Sequence, residues 1–429
     1  MKKLTLVATA VLGLISTTAM AQSTVTIYGI LDGGFTSISG LRNGNYTGVV
    51  SGIMDGSRFG LRGAEDIGGG YRAIFTLENR LELDTGSVTN RAPSGGQIPD
   101  RLVQANLLVP SLPAATQAAL QPLFNTIAYG NAAGTISTAG GIGSGVGVNL
   151  AGNLFDRQAF AGLVTPFGAF TLGRQYTPGY LVGATFDASQ TQSSLAAGQV
   201  ASFPGGFDIR LSNTLQYGIQ TGGITATLMY GAGEVAGDSA KSRFLGGMVI
   251  YKGAGFSAGF GHNERKNSLG QKSLTNNIIG GSIDVGPGAI YSQYATIKDE
   301  NPETLVTISP GFAAAGAAAA VVAAGYSNAL QQDGRLFHIG YKMTTGPHTA
   351  VVAYNRFDDK RSNNADVNSY GFTYTYALSK RTSLNGVVTR FDNKGNAQAA
   401  PGQAGFLGGV TSNAGVGSTS LAMGVNHKF

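Results

Sequence analysis

Cysteine is absent from all 429 residues, so no disulfide can staple this chain and no thiol can serve as nucleophile or metal ligand. Histidine is nearly as scarce: His262, His338, His348 and His427 stand far apart and show no paired-histidine metal spacing. No nucleophile motif surrounds any serine, so the chain reads as non-catalytic, with no metal and no cofactor expected. Charge is thin. Only 12% of residues are charged, and the basic ones are scattered and not interleaved with aromatics, so a net charge of +6 does not point to nucleic acid as a partner. Long apolar runs are missing too. Beyond the first residues the most apolar tract is the Ala/Gly stretch 311–325, which falls short of the roughly 20 strongly apolar residues a membrane helix needs.

The first residues are the exception. Lys2 and Lys3 precede an apolar run from Leu4 to Ile15, and Ala19-Met20-Ala21 offers the small-x-small pattern of a secretory cleavage site. The expectation is a signal peptide over 1–21 and a single mature domain over 22–429. Losing Lys2 and Lys3 lowers the formal charge from +6 to +4, with 27 basic residues against 23 acidic. An exported chain with no disulfides must hold itself by pairing and packing alone. If it enters a membrane, it does so as strands, the only other element that satisfies its own backbone there.

What is present is glycine, 66 copies, and a period of two. Transmembrane strands of about 9 to 11 residues turn apolar side chains to lipid and polar ones to the lumen, so average hydropathy hides alternation. From Tyr71 to Leu83 the alternation is nearly unbroken: Tyr71, Ala73, Phe75, Leu77, Leu81 and Leu83 against Arg72, Thr76, Glu78, Arg80 and Glu82. The same rule over the whole chain predicts sixteen strands, from Val25–Phe35 to Ser420–Phe429. The clearest is Tyr370 to Tyr376, with four aromatics on one face. Connections alternate short and long, the long ones headed by 84–153, 177–209, 298–334 and 392–419. The last strand carries its pattern through to Phe429, which predicts that it pairs with the first and closes a barrel.

Several ordered stretches resemble the trimeric general porins of Gram-negative outer membranes, of the beta-proteobacterial, neisserial type. They are Val25-Thr-Ile-Tyr-Gly-Ile-Leu-Asp32, Ser57-Arg-Phe-Gly-Leu-Arg-Gly-Ala-Glu-Asp-Ile-Gly-Gly-Gly70, Phe155-Asp-Arg-Gln-Ala-Phe-Ala-Gly-Leu163, Leu172-Gly-Arg-Gln-Tyr-Thr-Pro178 and Tyr376-Ala-Leu-Ser-Lys-Arg-Thr382, with the closing Phe429. The resemblance implies an all-β, 16-stranded antiparallel transmembrane barrel with short periplasmic turns and long extracellular loops. It further implies a homotrimer, a third loop folded into the pore, and a terminal Phe429 read by the outer-membrane assembly machinery. The expected surroundings are outer-membrane lipid and lipopolysaccharide. Two loops depart from the pattern: the second carries Leu112–Pro122, a helical turn or two, at a position that in this family contacts a neighbouring subunit, and the sixth carries Ala313–Ala320, a short helix or plug. Tryptophan is absent, so any interfacial girdle rests on Tyr and Phe.

Alternation and resemblance together place Arg58, Arg62, Arg80 and Arg157 on the lumen wall, facing the third-loop acids Asp187 and Asp208. Arg174 is in phase with the outward Phe170 and Leu172, so it needs either a bulge at Gly173 that turns it inward or a position above the lipid band; its direction stays open, with the inward one favoured because a lipid-facing arginine is costly. A basic wall against fewer loop acids predicts passive diffusion of small polar solutes and ions with mild anion preference. The competing roles are two. Each arginine can serve only wall salt bridges with Glu78, Glu82 or Asp32, and the channel can be substrate-selective, for a sugar or an anionic nutrient, on the same fold. Outward-pointing aromatic ladders argue mildly against a sugar path.

Overall fold

The computed structural model describes residues 24–90, 92, 94–130, 142, 148–201, 207–404 and 407–429; the expected signal peptide lies outside the described residues. The strands are β1 Thr24–Ile38, β2 Tyr46–Ser51, β3 Arg58–Gly68, β4 Tyr71–Arg80, β5 Gln158–Thr165, β6 Gly168–Tyr176, β7 Arg210–Thr221, β8 Ile224–Gly231 and β9 Phe244–Lys252. They continue as β10 Phe256–Lys266, β11 Lys272–Val285, β12 Gly288–Asp299, β13 Gln332–Thr345, β14 His348–Asp359, β15 Val367–Ala377, β16 Thr382–Asn393, β17 Ala399–Ala400, β18 Gly409–Val410 and β19 Ser418–Lys428. Neighbours pair antiparallel in chain order, and β19 pairs with both β16 and β1, so the sheet has no free edge. The small β17–β18 pair stands apart in the eighth loop.

Each of the sixteen expected strands is present within a few residues of its expected bounds, and short turns alternate with long loops throughout. Three short strands were not legible, the β17–β18 pair and, within the wall, β2. β2 lies in what reads as a loop of Gly, Ser and Asn: it covers the upper half of β1, while β3 covers the lower half, so the two share one place in a sixteen-position wall. Where they part, residues 52–57 cross the wall over Asp32, whose carboxylate accepts the amides of Ile53, Met54 and Asp55 at 2.8, 3.2 and 3.0 Å and the Asn426 side chain at 2.7 Å. This buried, four-fold satisfied carboxylate joins first strand, first loop and last strand.

At the seam, Phe429 and Gly29 exchange two backbone hydrogen bonds of 3.1 Å. A Cβ on Gly29 would lie 2.3 Å from the Phe429 ring, so glycine is required for the ring to lie across β1. The outward phase is apolar and exposed, as in Ile27, Leu172, Leu228 and Met423, whereas the inward phase of the same strands is polar or small, as in Thr171, Thr227, Ala422 and Asn426.

Above the barrel the loops build a second layer. The helix expected near Leu112–Pro122 runs from Ala114 to Tyr129, and the sixth loop forms a 3-10 segment Ser309–Ala318 followed by the helix Ala319–Leu330. They share an apolar core: Phe312 stacks on Tyr326 with centroids 5.4 Å apart, and Phe124 meets Tyr326 edge-on at 5.9 Å. The described part of the second loop therefore packs on its own chain's loops. It is also tied to the eighth loop, where Gln398 accepts the Asp100 amide at 2.7 Å and donates to its carboxylate at 3.1 Å.

Candidate functional site

The third loop leaves β6 through Thr177, whose hydroxyl caps the helix Pro178–Thr185. The helix runs into the lumen because the inner wall leaves room for it. A Cβ on Gly259 or Gly280 would come within 2.8 or 2.6 Å of Phe186, and one on Gly261 within 2.9 Å of Val182. Phe186 and Val182 are fully buried in the groove these glycines form. Beyond the helix, His338 Nε2 accepts the Ala188 amide at 2.9 Å while its Nδ1 lies 2.6 Å from Asn355. Asn355 donates to the Leu195 carbonyl at 3.0 Å, and the Gln192 amide donates to the Met54 carbonyl at 2.8 Å. The loop thus touches β10, β11, β13, β14 and the segment ahead of β3, which places it inside the barrel.

One cluster joins this loop to the wall. Arg157, completely buried just ahead of β5, donates from Nε to Glu78 at 2.7 Å and from Nη2 to the Tyr176 hydroxyl at 3.2 Å. Arg210 donates to the same hydroxyl at 2.7 Å with its guanidinium 4.4 Å from the ring centroid, and Tyr180 of the loop stacks on Tyr176 at 5.1 Å. Tyr28 donates to the other Glu78 oxygen at 3.1 Å. Arg58 donates to the Gly56 carbonyl at 2.8 Å, with Asp55 3.9 Å away. Arg62 is exposed, its guanidinium 5.1 Å from the Tyr28 ring centroid. Lys342 of β13 donates to Gln190 of the loop at 2.7 Å.

Other expected site residues fall elsewhere. Arg80 is buried between Asp156, 3.3 Å away, and Glu82, 3.4 Å away, so its charge is spent fastening β4 to the entry of β5. Arg174 does not turn inward. The register shift past Gly173 falls on the β7 side only, and pairing with β5 stays regular from Phe170 through Arg174. The side chain therefore keeps the outward phase, two residues from the loop end of β6, where it is satisfied by the Asp156 carbonyl and, at 3.1 Å, the Ser212 hydroxyl. Neither loop acid stands as a free counter-charge opposite the arginines. Asp187 accepts the Ser189 and Ala197 amides at 2.9 and 2.6 Å and the Ser189 hydroxyl at 2.6 Å, closing the loop's own turn. Asp208 pairs with Arg265 of β10 at 2.7 Å; burial pushes its carboxyl above the usual carboxylate range and Arg265 opposes that rise.

Sequence reasoning missed Arg210, Lys342, Tyr176 and Tyr180. Alternation carried the signal for Lys342, which shares the inward phase of His338 and Gly340. Arg210 sits at a strand start, where phase says least. The Tyr176–Tyr180 stack spans a strand and a helix, and no period links them.

A family model described as Gram-negative porin matches residues 8–396. Over its full length the chain is 24% identical to outer membrane porin protein 32 of Delftia acidovorans, with 100% of each covered. A stretch of 101 residues is 37% identical to an outer membrane porin protein of Bordetella pertussis, spanning 20% of this chain and 26% of that protein. In fold the chain is similar to an anion-selective porin from Comamonas acidovorans, with a TM-score of 0.64, 22% identity, and coverage of 95% of this chain and 100% of the other.

Proposed function

The chain belongs to the Gram-negative porin family, and on that footing we propose that this outer-membrane barrel passes small polar solutes and ions by diffusion, with anions favoured at its constriction. Family membership argues for a channel and not an enzyme. The observation that carries the anion preference is the charge census where the third loop meets the wall: Arg58, Arg62, Arg157, Arg210 and Lys342 stand against Asp55 and Glu78. Glu78 is consumed by Arg157 and Asp55 lies at the outer limit of pairing with Arg58, which leaves a positive surplus where the third loop meets the wall. In a low-dielectric frame such a surplus concentrates anions and repels cations. The relative whose own description reads anion-selective is consistent with this reading.

The same reading includes a leader over 1–21, export of residues 22–429, assembly as a homotrimer in outer-membrane lipid and lipopolysaccharide, and recognition of Phe429 by the assembly machinery. Reversal potentials across a KCl gradient in planar bilayers test the selectivity. The parent channel should prefer chloride, and the Arg58→Gln, Arg62→Gln, Lys342→Gln combination should move the potential toward cation preference. A parent that clearly prefers potassium overturns the charge argument.

A further inference from the structure

Above the third loop lies a chamber of about 320 Å³, roofed by the second and eighth loops. Much of its lining is apolar: Phe207, Ile209, Leu336, Phe357, Val367 and Leu407 turn toward it. Arg101, in the short 3-10 segment Asp100–Leu102 of the roof, also lines it and is only 5% exposed. Its Nε has no hydrogen-bond partner, and its Nη1 reaches the Asn396 carbonyl only at 3.5 Å. Among the described residues Arg101 makes no ion pair, and every acidic residue of the sequence lies among them. The other charged groups at the chamber are already occupied. Arg361 is held by Asp359 at 2.7 and 2.8 Å, and the Asp187 carboxylate is filled by the third loop's own turn. Burial lowers the Arg101 pKa to about 10, with Arg361 adding to the fall and Asp359 opposing it, so the group is still charged at neutral pH.

A buried guanidinium without a carboxylate is costly, and a supplied anion offsets that cost. A mostly apolar enclosure with one unmatched cation selects a particular kind of solute: one whose head is a carboxylate and whose body is hydrocarbon. We propose that this chamber binds amphipathic monocarboxylates, the carboxylate on Arg101 and the hydrocarbon among the apolar lining, as a waiting site ahead of the constriction. This proposal rests on the channel reading and adds a substrate class to it. Hydrophilic ions gain nothing from the apolar wall, and uncharged hydrocarbons leave Arg101 unmatched.

Block of KCl current by hexanoate, with acetate and hexanol as head-only and tail-only controls, tests it in planar bilayers. Hexanoate should block saturably where acetate and hexanol do not. Arg101→Met should raise the half-blocking concentration by about tenfold or more while KCl conductance stays close to the parent's. Leu407→Glu, which adds a negative charge to the same lining, should weaken block by the same logic and serves as an independent variant if Arg101→Met fails to yield the heat-modifiable folded band. Hexanoate acting no better than acetate, or blocking either variant like the parent, overturns the carboxylate site while leaving the channel reading intact. A parent that folds and conducts nothing overturns both.

Discussion

Gly280 is the position where a single methyl group should reach function. Its added Cβ would stand 2.6 to 2.7 Å from Phe186 Cδ2, Cβ and Cγ, and the Phe186 Cβ belongs to the loop stem, so the ring cannot simply swing aside. Overpacking of this kind costs about 1–3 kcal/mol. Because only the docking of the third loop is strained, the cost appears as a shift between docked and undocked loop, a factor of roughly 5 to 150 at about 1.4 kcal/mol per decade. Phe186→Ala removes a fully buried ring from the same groove, worth about 3–5 kcal/mol, and should undock the loop more completely. The two changes must interact. In the Phe186→Ala background the Gly280→Ala methyl occupies vacated space, so its own effect should fall to nearly nothing. Single-channel recording supplies the readout: loop excursions appear as flicker between conductance levels, and their frequency gives the population ratio for the cycle. Gly280→Ala with parental noise, or flicker in the double variant equal to the product of the single effects, would refute the glycine-groove account of how the constriction is held.

Three other perturbations separate roles that the arrangement keeps apart. Deleting Phe429, or Gly29→Val, removes or obstructs the seam contact, and either should lower the yield of heat-modifiable barrel in the outer membrane while pores that do form conduct normally. Arg80→Gln leaves Asp156 and Glu82 buried without their cation, a loss of about 3–5 kcal/mol visible as an earlier thermal unfolding of the barrel, with selectivity unchanged because Arg80 is already neutralised. Acidification acts through Asp208. Its carboxyl is raised by burial, so the native state takes up this proton above the ordinary carboxylate range and gains stability as pH falls through that value. Protonation frees Arg265, which shares the inward phase of Gly261 and Asn263, so anion preference should rise on mild acidification; Asp208→Asn should show the raised preference at neutral pH and no further response to acid.

Legibility divides along contact distance. Alternation is a local property, repeated every two residues and written independently in each strand, so sixteen strands and the loop parity could be read from the residues alone. Strand β2 escaped because six residues between glycine-rich flanks contain too few periods, and the direction of Arg174 stayed open because a bulge and a position at the rim both take an arginine out of lipid; the fold uses the rim position, with no change of phase. The sequence by itself determined a strand-built barrel with a polar lining, because the period of two recurs in segment after segment and each connection alternates short with long. Only the tertiary structure decided which charges act. It spent Arg80, Asp187 and Asp208 on internal fastening, brought Arg210 to the Tyr176 hydroxyl and Lys342 to Gln190 of the third loop, and buried Arg101 in the roof without an ion pair among the described residues. These outcomes depend on groups dozens to hundreds of residues apart meeting in three dimensions, where pairing partner and burial, and not residue type, set what each charge can do.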